Sequence, residues 1–315
     1  MEQQLQVSAP GSLMLLGEHA VLRSELAVVA AINQRIHVEL TPNQDAQIQI
    51  HSALGEHIGC LGAIGDHPKL RFVLAAIGAH EKSISTGFDL RISAPFSDKV
   101  GFGSSAAVSV AVHGALLRWI EGAMPTQEHL FRQALATMRS VQGRGSGADI
   151  AASVYGGIVA YRMDAIDEVF PIATPISAIY CGYKCATPEV LARMEEAYAQ
   201  DPPHYDTLYK RMGACADQGI RGLRSGDLQE VARAMELQQT CMVELGLNTA
   251  ELDEIVAAMQ PLNELSGAKI SGSGLGDCVV AFGSLPEDTL NAYARYLLMT
   301  SPEGCVEVTS GSIAE

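Results

Sequence analysis

Residues 95–110, PFSDKVGFGSSAAVSV, form a glycine- and serine-rich loop that runs directly into small and aliphatic residues of helical type. Gly101 and Gly103 let the backbone turn without a side-chain clash, and Ser104 and Ser105 stand where the first free amides of the following helix point. Such a helix start attracts phosphate, because its N–H groups and its positive dipole end favour an anion. The spacing matches neither a Walker A loop nor a dinucleotide-binding fingerprint. An ordinary loop capped by Ser104 is the alternative interpretation.

Two other turns share this glycine-rich character. In residues 9–22, APGSLMLLGEHAVL, an apolar run ends at Gly17, and Glu18 and His19 follow it. A carboxylate and an imidazole at the end of a buried strand are placed to bind polar substrate groups, with plain loop surface as the alternative. In residues 267–283, GAKISGSGLGDCVVAFG, three glycines lie between two strand-like segments. Their amides can bind phosphate as a nest, and a tight hairpin is the alternative.

Asp149 follows another flexible turn, QGRGSGAD, and opens a short helix of small residues that ends at Gly156 and Gly157. A carboxylate held among small residues beside a phosphate site can act as a general base toward an alcohol, or orient its hydroxyl. The alternative role for Asp149 is that of a helix N-cap.

Length and composition restrict the function classes. The chain has 315 residues, 48% of them hydrophobic and 18% charged, which suits a globular protein of two moderate domains. A formal net charge of −15 argues against nucleic acid or an anionic membrane as partner. The first residues lack the charged and apolar pattern of a signal peptide, and no segment reaches the length of a membrane span. Seven scattered cysteines indicate reduced thiols, and we expect a cytoplasmic protein.

Hydrophobic periodicity predicts a β-rich start followed by mixed elements. We expect strands over 4–8, 26–32, 35–40, 47–51, 88–92, 158–162, 168–172 and 176–184, and helices over 68–77, 104–121, 127–141, 149–156, 187–200, 205–224, 227–245 and 249–259. A final exposed helix is predicted over Thr289–Leu298 and a final edge strand over Val306–Thr309. Pro175 marks the predicted change of domain, with one domain over 1–174 and the other over 175–315.

The three loops and Asp149, in this order and spacing, resemble the GHMP small-molecule kinases over essentially the whole chain. Residues 9–22 are similar to motif one of the mevalonate kinases, residues 100–112 to the ATP-binding motif two, residues 268–278 to motif three, and residues 146–157 to the segment with the catalytic aspartate. The resemblance implies an α+β fold of two domains: an N-terminal ribosomal-protein-S5-like α/β domain, which binds ATP, and a C-terminal ferredoxin-like domain. It implies γ-phosphoryl transfer from ATP, with Mg²⁺, to a small alcohol, either mevalonate or phosphomevalonate.

The resemblance also implies roles for individual residues. Asp149 would face the substrate hydroxyl, and Ser105 would hold Mg²⁺. The ATP phosphates would contact Lys99, Gly101, Gly103, Ser104, Ser105 and Ala106. The acceptor would contact Glu18, His19 and Arg144. Gly272, Ser273 and Gly274 would stabilise the conformation of the ATP-binding loop or contact the transferred group.

Three positions depart from the pattern of the family. Ser12 stands where motif one usually has a lysine, so either another cation acts there or the reaction does without one. Lys99, Arg144 and Lys184 are the candidate cations. Met138 stands where mevalonate kinases carry a magnesium-binding glutamate, which leaves the metal to Ser105 and the phosphates, or to Asp149. The segments around Arg144 and Cys278 are more like phosphomevalonate kinases, in which Arg144 could pair with a substrate phosphate.

Mevalonate kinase is the first functional hypothesis, phosphomevalonate kinase the second, and a decarboxylase of the same superfamily a weaker one. A ligand-binding relative that transfers no phosphate is a different class, favoured by Ser12 and Met138. A homodimer is possible, and the sequence does not determine the oligomeric state.

Overall fold

The computed structural model describes residues 4–96 and 100–308, which form twelve strands and eight α-helices. The strands are β1 Leu5–Leu16, β2 Ala27–Pro42, β3 Gln47–Ser52, β4 Gly55–Cys60, β5 Phe88–Ser93, β6 Ile158–Arg162, β7 Ala165–Phe170, β8 Pro175–Tyr180, β9 Leu265–Ser271, β10 Cys278–Gly283, β11 Ala294–Met299 and β12 Val306–Glu307. The helices are α1 Arg71–His80, α2 Ser104–Glu121, α3 Gln127–Gln142, α4 Ala148–Tyr155, α5 Thr187–Gln200, α6 Pro202–Ser225, α7 Leu228–Glu244 and α8 Ala250–Met259.

The first sheet contains β1 to β7 and β12. Its strand order is β12-β1-β2-β5-β3-β4, and β6 pairs with β2 and with β7. All pairings are antiparallel except that of β3 with β5. The two strands predicted over 26–32 and 35–40 are one continuous strand, because β2 keeps its pairing with β1 through a local register shift near Gly11.

The central part of the sheet, β1 and the first half of β2, is buried on both faces. Val29 and Ala31 of β2 belong to a core that includes buried residues of α1 to α4, whereas the alternate residues Val28 and Ala30 belong to a second core, which includes residues of α6, α7 and β10. Alternation along a strand sends successive side chains to opposite faces, so β1 and β2 are central to both cores. The end of β1 therefore brings Gly17 and the residues after it to the middle of the molecule.

The second sheet is antiparallel, with the order β11-β8-β10-β9. In chain order this is 4-1-3-2, the strand order of a ferredoxin-like domain, with α5 to α8 inserted between its first and second strands. The α+β fold of two domains is thus confirmed. The chain leaves the first sheet at Phe170 and enters the second at Pro175, next to the predicted boundary, and β12 then returns to the first sheet.

The helix predicted over Thr289–Leu298 is wrong. Residues Ala294–Met299 form β11, which pairs along its whole length with β8 from Tyr180 to Pro175. The segment ARYLLM has helix-compatible residues, but a partner strand that lies far away in the sequence satisfies its backbone groups. The predicted edge strand at the end of the chain is confirmed as β12, paired with β1 at Val7 and Ser8.

Over 4–96 and 100–308, no helix combines the length and the hydropathy needed to cross a membrane. The seven cysteines are all free thiols.

Candidate active site

A cavity of about 390 Å³ lies where the three glycine-rich loops meet. Numbered in chain order, the first loop (residues 9–22) contributes Glu18 and His19 to the cavity wall, and the second (residues 95–110) contributes residues 101–106. The third (residues 267–283) contributes residues 271–273. The turn before α4 adds residues 144–147 and Asp149. The structure therefore brings together segments that are far apart in the chain, and the predicted site residues Gly101, Gly103, Ser104, Ser105, Ala106, Arg144, Asp149, Gly272 and Ser273 all line one cavity. Gly274 is not part of this wall.

Residues 100–105 of the second glycine-rich loop, named the phosphate loop after their predicted role, are anchored from both sides. Phe102 is buried between Phe96 and Tyr296, with ring centroids 5.9 and 5.0 Å away, and its carbonyl accepts the N–H of Ser12 at 3.0 Å. The aromatic ring fixes the loop in the core, while the hydrogen bond ties it to β1. The sequence analysis did not single out Phe102, whose only signal was a large aromatic residue between two glycines.

Helix α2 begins at Ser104, as predicted. Its N-cap is Gly103, with φ of 63°, and no side chain caps the helix. The alternative interpretation, a loop capped by Ser104, is therefore wrong. Glycine is required at position 103, because a Cβ there would overlap the hydroxyl of Ser12 and because the backbone is left-handed. The Ser105 side chain is exposed at the first turn and lines the cavity.

Asp149 lies at the second position of α4, whose N-cap is Gly147, so it is not the cap. The Ser12 hydroxyl donates a hydrogen bond of 2.7 Å to its Oδ1. Burial raises the pKa of Asp149, whereas the Ser12 hydrogen bond and the charge of Lys184 lower it and the charge of Glu18 raises it. A carboxylate with a raised pKa, oriented by a neutral donor, can accept a proton from an alcohol.

Glu18 is buried at 3% exposure, and both of its oxygens have partners. Oε1 forms an ion pair with the fully buried Lys269, and Oε2 accepts from the amide of Gln238. The same Gln238 side chain accepts the N–H of Gly17 at 2.8 Å. The carboxylate thus joins the first loop to α7 and β9, and its predicted contact with an acceptor stays a prediction.

His19 connects the first loop to the third. Its Nε2 lies 2.9 Å from the carbonyl oxygen of Ser273, to which a neutral ring donates. Burial lowers the pKa of His19, so the ring is neutral at pH 7. The Ser273 hydroxyl is buried and has no hydrogen-bond partner among residues 4–96 and 100–308. A bound molecule in the cavity would give this hydroxyl a partner.

The candidate cations have different positions. Arg144 lines the cavity and donates to the carbonyl of Pro188 at 3.4 Å, and Lys184 forms an ion pair with Asp277 at 3.2 Å. Lys99, predicted to contact phosphate, lies outside the described residues. The sequence analysis did not assign a role to Asp277 or Lys269, since a single charged residue in a strand or turn gives no signal of its partner.

Comparisons with known proteins show the family. Residues 70–157 match the family description "GHMP kinases N terminal domain", and residues 220–296 match "GHMP kinases C terminal". The chain belongs to the GHMP kinases. The mevalonate kinase of Aeropyrum pernix is 27% identical over 289 residues, 89% of each chain. That of Thermococcus gammatolerans is 29% identical over 295 residues, 87% of each chain.

Three solved structures share the fold of this GHMP kinase. The Lin0012 protein of Listeria innocua has a TM-score of 0.86 and 24% identity, covering 98% of this chain and 100% of that one. The mevalonate kinase of Methanococcus jannaschii has a TM-score of 0.81 and 19% identity, covering 95% and 98%. The phosphomevalonate kinase of Streptococcus pneumoniae, solved with phosphomevalonate and AMPPNP, has a TM-score of 0.76 and 18% identity, covering 93% and 99%.

The described residues of this GHMP kinase do not form a metal site from carboxylates. The described part of the chain has no group of three or more His, Cys, Asp or Glu side chains that could hold a metal ion, and Met138 lines the cavity with a thioether. Mg²⁺ coordinated mainly by phosphate oxygens and water requires little more than one protein oxygen. The exposed Ser105 hydroxyl at the start of α2 fits that requirement.

Proposed function

We propose that this GHMP kinase transfers the γ-phosphoryl group of ATP to the 5-hydroxyl of mevalonate, a step in the synthesis of isoprenoid precursors. The observation that carries the proposal is the meeting, in one cavity, of the free start of α2 with the carboxylate of Asp149. The named relatives, which are mevalonate kinases, support the choice of acceptor.

A second cavity supports ATP as the donor. Its volume is about 510 Å³, and it shares Arg71, Ser104 and Ser105 with the first cavity. Its remaining wall is mainly apolar and includes Leu54, Leu70, Phe72, Phe96 and Val108. A nucleoside bound there would direct its phosphates to the first turn of α2, where free amides and the helix dipole stabilise negative charge.

The reaction requires positioning and charge neutralisation more than covalent chemistry by the protein. The 5-hydroxyl oxygen of mevalonate forms a bond to the γ-phosphorus while the bond from that phosphorus to the β–γ bridging oxygen breaks, and ADP leaves with the electron pair. The hydroxyl proton passes to Asp149, which Ser12 orients. Mg²⁺ bound to the phosphates and to Ser105 would neutralise their charge.

The rest of the cavity suits a small acid with a branched carbon skeleton. Val21, Leu22 and Leu191 offer an apolar surface for the methyl group of mevalonate. Arg144 offers a cation for its carboxylate, and the unpartnered hydroxyl of Ser273 offers a donor for its tertiary hydroxyl. Gly272 and Gly274, with positive φ values of 91° and 81°, would shape the third loop around the transferred group.

Phosphomevalonate kinase is the second candidate, because Arg144 lines the cavity and could instead pair with a substrate phosphate. Magnesium-dependent ADP release, measured with mevalonate and with 5-phosphomevalonate in parallel, separates the two. We expect release with mevalonate and none with Asp149→Ala. Release only with 5-phosphomevalonate would transfer the assignment to the second candidate. Bound ATP without release with either acceptor would contradict both and favour a binding protein.

A further inference from the structure

The active-site cavity contains an ion pair that joins two loops of the second domain. Lys184 follows β8, and Asp277 directly precedes β10. The Lys184 ammonium lies 3.2 Å from Oδ2 of Asp277. The Lys184 side chain is 34% exposed and the Asp277 side chain only 7% exposed. A buried carboxylate therefore holds an ammonium group that lines the cavity.

The backbone of Asp277 fixes the loop that carries Lys184. The Asp277 N–H donates to the carbonyl of Tyr183 at 2.9 Å, and its carbonyl accepts the N–H of Cys181 at 3.0 Å. Asp277 has a left-handed conformation with φ of 68°, which aspartate tolerates better than most residues. Three contacts thus set the position of Lys184, and two of them do not depend on its side chain.

The pair lies directly against the phosphate loop. A Cβ placed on Gly101 would be 2.7 Å from Oδ1 of Asp277, so the carboxylate and the loop are in close contact. This Oδ1 is buried and has no hydrogen-bond partner among the described residues. Oδ2 therefore bears the interaction with Lys184, and the ammonium is kept on the side of the cavity where the phosphate loop and Asp149 meet.

Arg71, Arg144 and Lys184 line the cavity, and among the described residues Lys184 is the cation whose charge acts on the pKa of Asp149. Ser12 on β1 is a neutral donor, Glu18 after β1 is paired with the buried Lys269, and Asp277 is itself negative. Arg144, in the turn before α4, donates to the carbonyl of Pro188. The charge of Lys184 lowers the pKa of Asp149, which agrees with an ammonium group that faces this carboxylate.

We propose that Lys184 is the cation that stabilises the phosphoryl group during its transfer to the acceptor, and that Asp277 is the positioning residue that aims it. The inference rests on the proposed kinase function. As the bond to the bridging oxygen breaks, negative charge spreads over the transferred group, and a fixed ammonium stabilises that charge without reorganisation.

Steady-state kinetics of the full chain test the role of the charge. Removal of one preorganised donor of this kind costs about 10² to 10³ in kcat, so Lys184→Ala should lose about 10²-fold in kcat with little change in the KM for Mg·ATP. Lys184→Arg should recover at least about tenfold of that loss, because it restores the charge. Lys210→Ala removes the same charge from the exposed surface of α6 and should match the wild type. A kcat for Lys184→Ala within about twofold of wild type would overturn the proposal, as would a Lys184→Arg variant no faster than Lys184→Ala.

A double-mutant cycle tests the role of Asp277. Asp277→Asn should lower kcat about tenfold, because the ammonium is present but no longer aimed. The double variant Lys184→Ala and Asp277→Asn should be no slower than Lys184→Ala alone. Fully additive losses would show that Asp277 acts independently and would overturn its positioning role.

One measurement needs no acceptor and so separates this inference from the proposed function. The Lys184 ammonium lowers the pKa of Asp277, which burial raises. In ¹³C-carboxyl NMR titrations of the wild type and of Lys184→Ala, with Asp277→Asn for assignment, the pKa of Asp277 should be higher in Lys184→Ala. An unchanged pKa of Asp277 would show that Lys184 does not act on this carboxylate and would overturn the proposed pair. A wild-type protein silent with mevalonate, with the titration shifted as expected, would overturn the proposed acceptor and leave the pair in place.

Discussion

The Ser12 hydroxyl donates a hydrogen bond of 2.7 Å to Oδ1 of Asp149, and the same Ser12 contacts Gly103 of the phosphate loop. One small residue of β1 therefore contacts both the proposed base and the loop that would hold the donor phosphates. The hydrogen bond lowers the pKa of Asp149 against the effect of burial. Ser12 thus keeps the carboxylate ionised over a wider range of pH.

Ser12→Ala should move the acidic limb of the kcat profile to higher pH. Because the hydrogen bond favours the ionised carboxylate, its loss raises the pKa of Asp149, and a charge-assisted bond worth about 1.5 kcal/mol corresponds to about one pH unit. The profile of kcat against pH checks this. The control is Ser153→Ala on α4, the helix of Asp149. The buried Ser153 hydroxyl donates to the carbonyl of Pro10, so this change should leave the acidic limb unchanged. Identical limbs in Ser12→Ala and wild type would contradict the prediction.

Asp149→Asn should slow phosphoryl transfer with little effect on ATP binding. Loss of general-base action typically costs about 10² to 10⁴ in rate, whereas the proposed nucleotide contacts lie on α2 and in the neighbouring cavity. Single-turnover rates and calorimetric titration with a non-hydrolysable ATP analogue separate the two effects. A variant that turns over as fast as the wild type would remove the mechanism proposed above.

Ser105→Ala should raise the KM for Mg·ATP, because the exposed hydroxyl at the start of α2 is the protein oxygen proposed for the metal. Loss of one ligand oxygen among several should weaken use of Mg·ATP about tenfold. The control is Ser109→Ala on the same helix, whose hydroxyl is buried and has no partner within the described residues. The dependence of the rate on free Mg²⁺ checks the assignment, which a Ser105→Ala variant with unaltered Mg²⁺ dependence would refute.

Lys269→Met should destabilise the protein strongly. Lys269 is fully buried and pairs with Glu18, and removal of one partner of a buried pair costs about 3 to 5 kcal/mol. The double variant Glu18→Gln and Lys269→Met should recover part of that loss, since no buried charge is left alone. Arg211→Ala breaks a surface pair with Glu244 and should cost no more than about 1 kcal/mol. Urea unfolding gives the three free energies, and equal losses for Lys269→Met and Arg211→Ala would contradict the argument.

Local signals in the sequence were sufficient for part of the site. The glycines and serines of residues 101–105 determine a turn and a helix start by their own conformational preferences, and α2 begins at Ser104 as predicted. Strand order, by contrast, is a property of distant pairings. The ladder between β11 and β8 decides the structure of Ala294–Met299, and nothing within that segment indicates it.

The charged pairs of the site were not predicted for the same reason. Lys269 lies in a strand-like segment and finds Glu18 at a separation of 251 residues. Asp277 finds Lys184 only when β8 and β10 lie side by side in the second sheet. A sequence shows which residues can carry charge, but the free energy of a buried charge depends on the partner that the fold supplies.

A chain of buried polar groups in the first domain predicts a loss of stability in acid. Nε2 of His80 lies 2.8 Å from Nδ1 of His113, and Nε2 of His113 lies 2.8 Å from Oγ1 of Thr137. Burial lowers the pKa of His113 from 6.5 to about 3 and also lowers that of His80. The His113 imidazole is therefore neutral in the folded protein at pH 6, and its ring can donate one hydrogen bond and accept another.

Because both histidines bind protons more readily in the unfolded chain, their contributions to stability are complete above pH 6.5 and decrease as the pH falls, for His113 down to its folded-state pKa of about 3. Each such histidine adds a slope of up to about 1.4 kcal/mol per pH unit below 6.5. Urea unfolding between pH 8 and pH 5 measures this slope. His113→Gln should reduce the slope by about 1.4 kcal/mol per pH unit, the contribution of one proton. His204→Gln, which changes an exposed histidine on α6, should leave the slope as in wild type. Parallel curves for wild type and His113→Gln would show that the buried histidines do not control the loss of stability in acid.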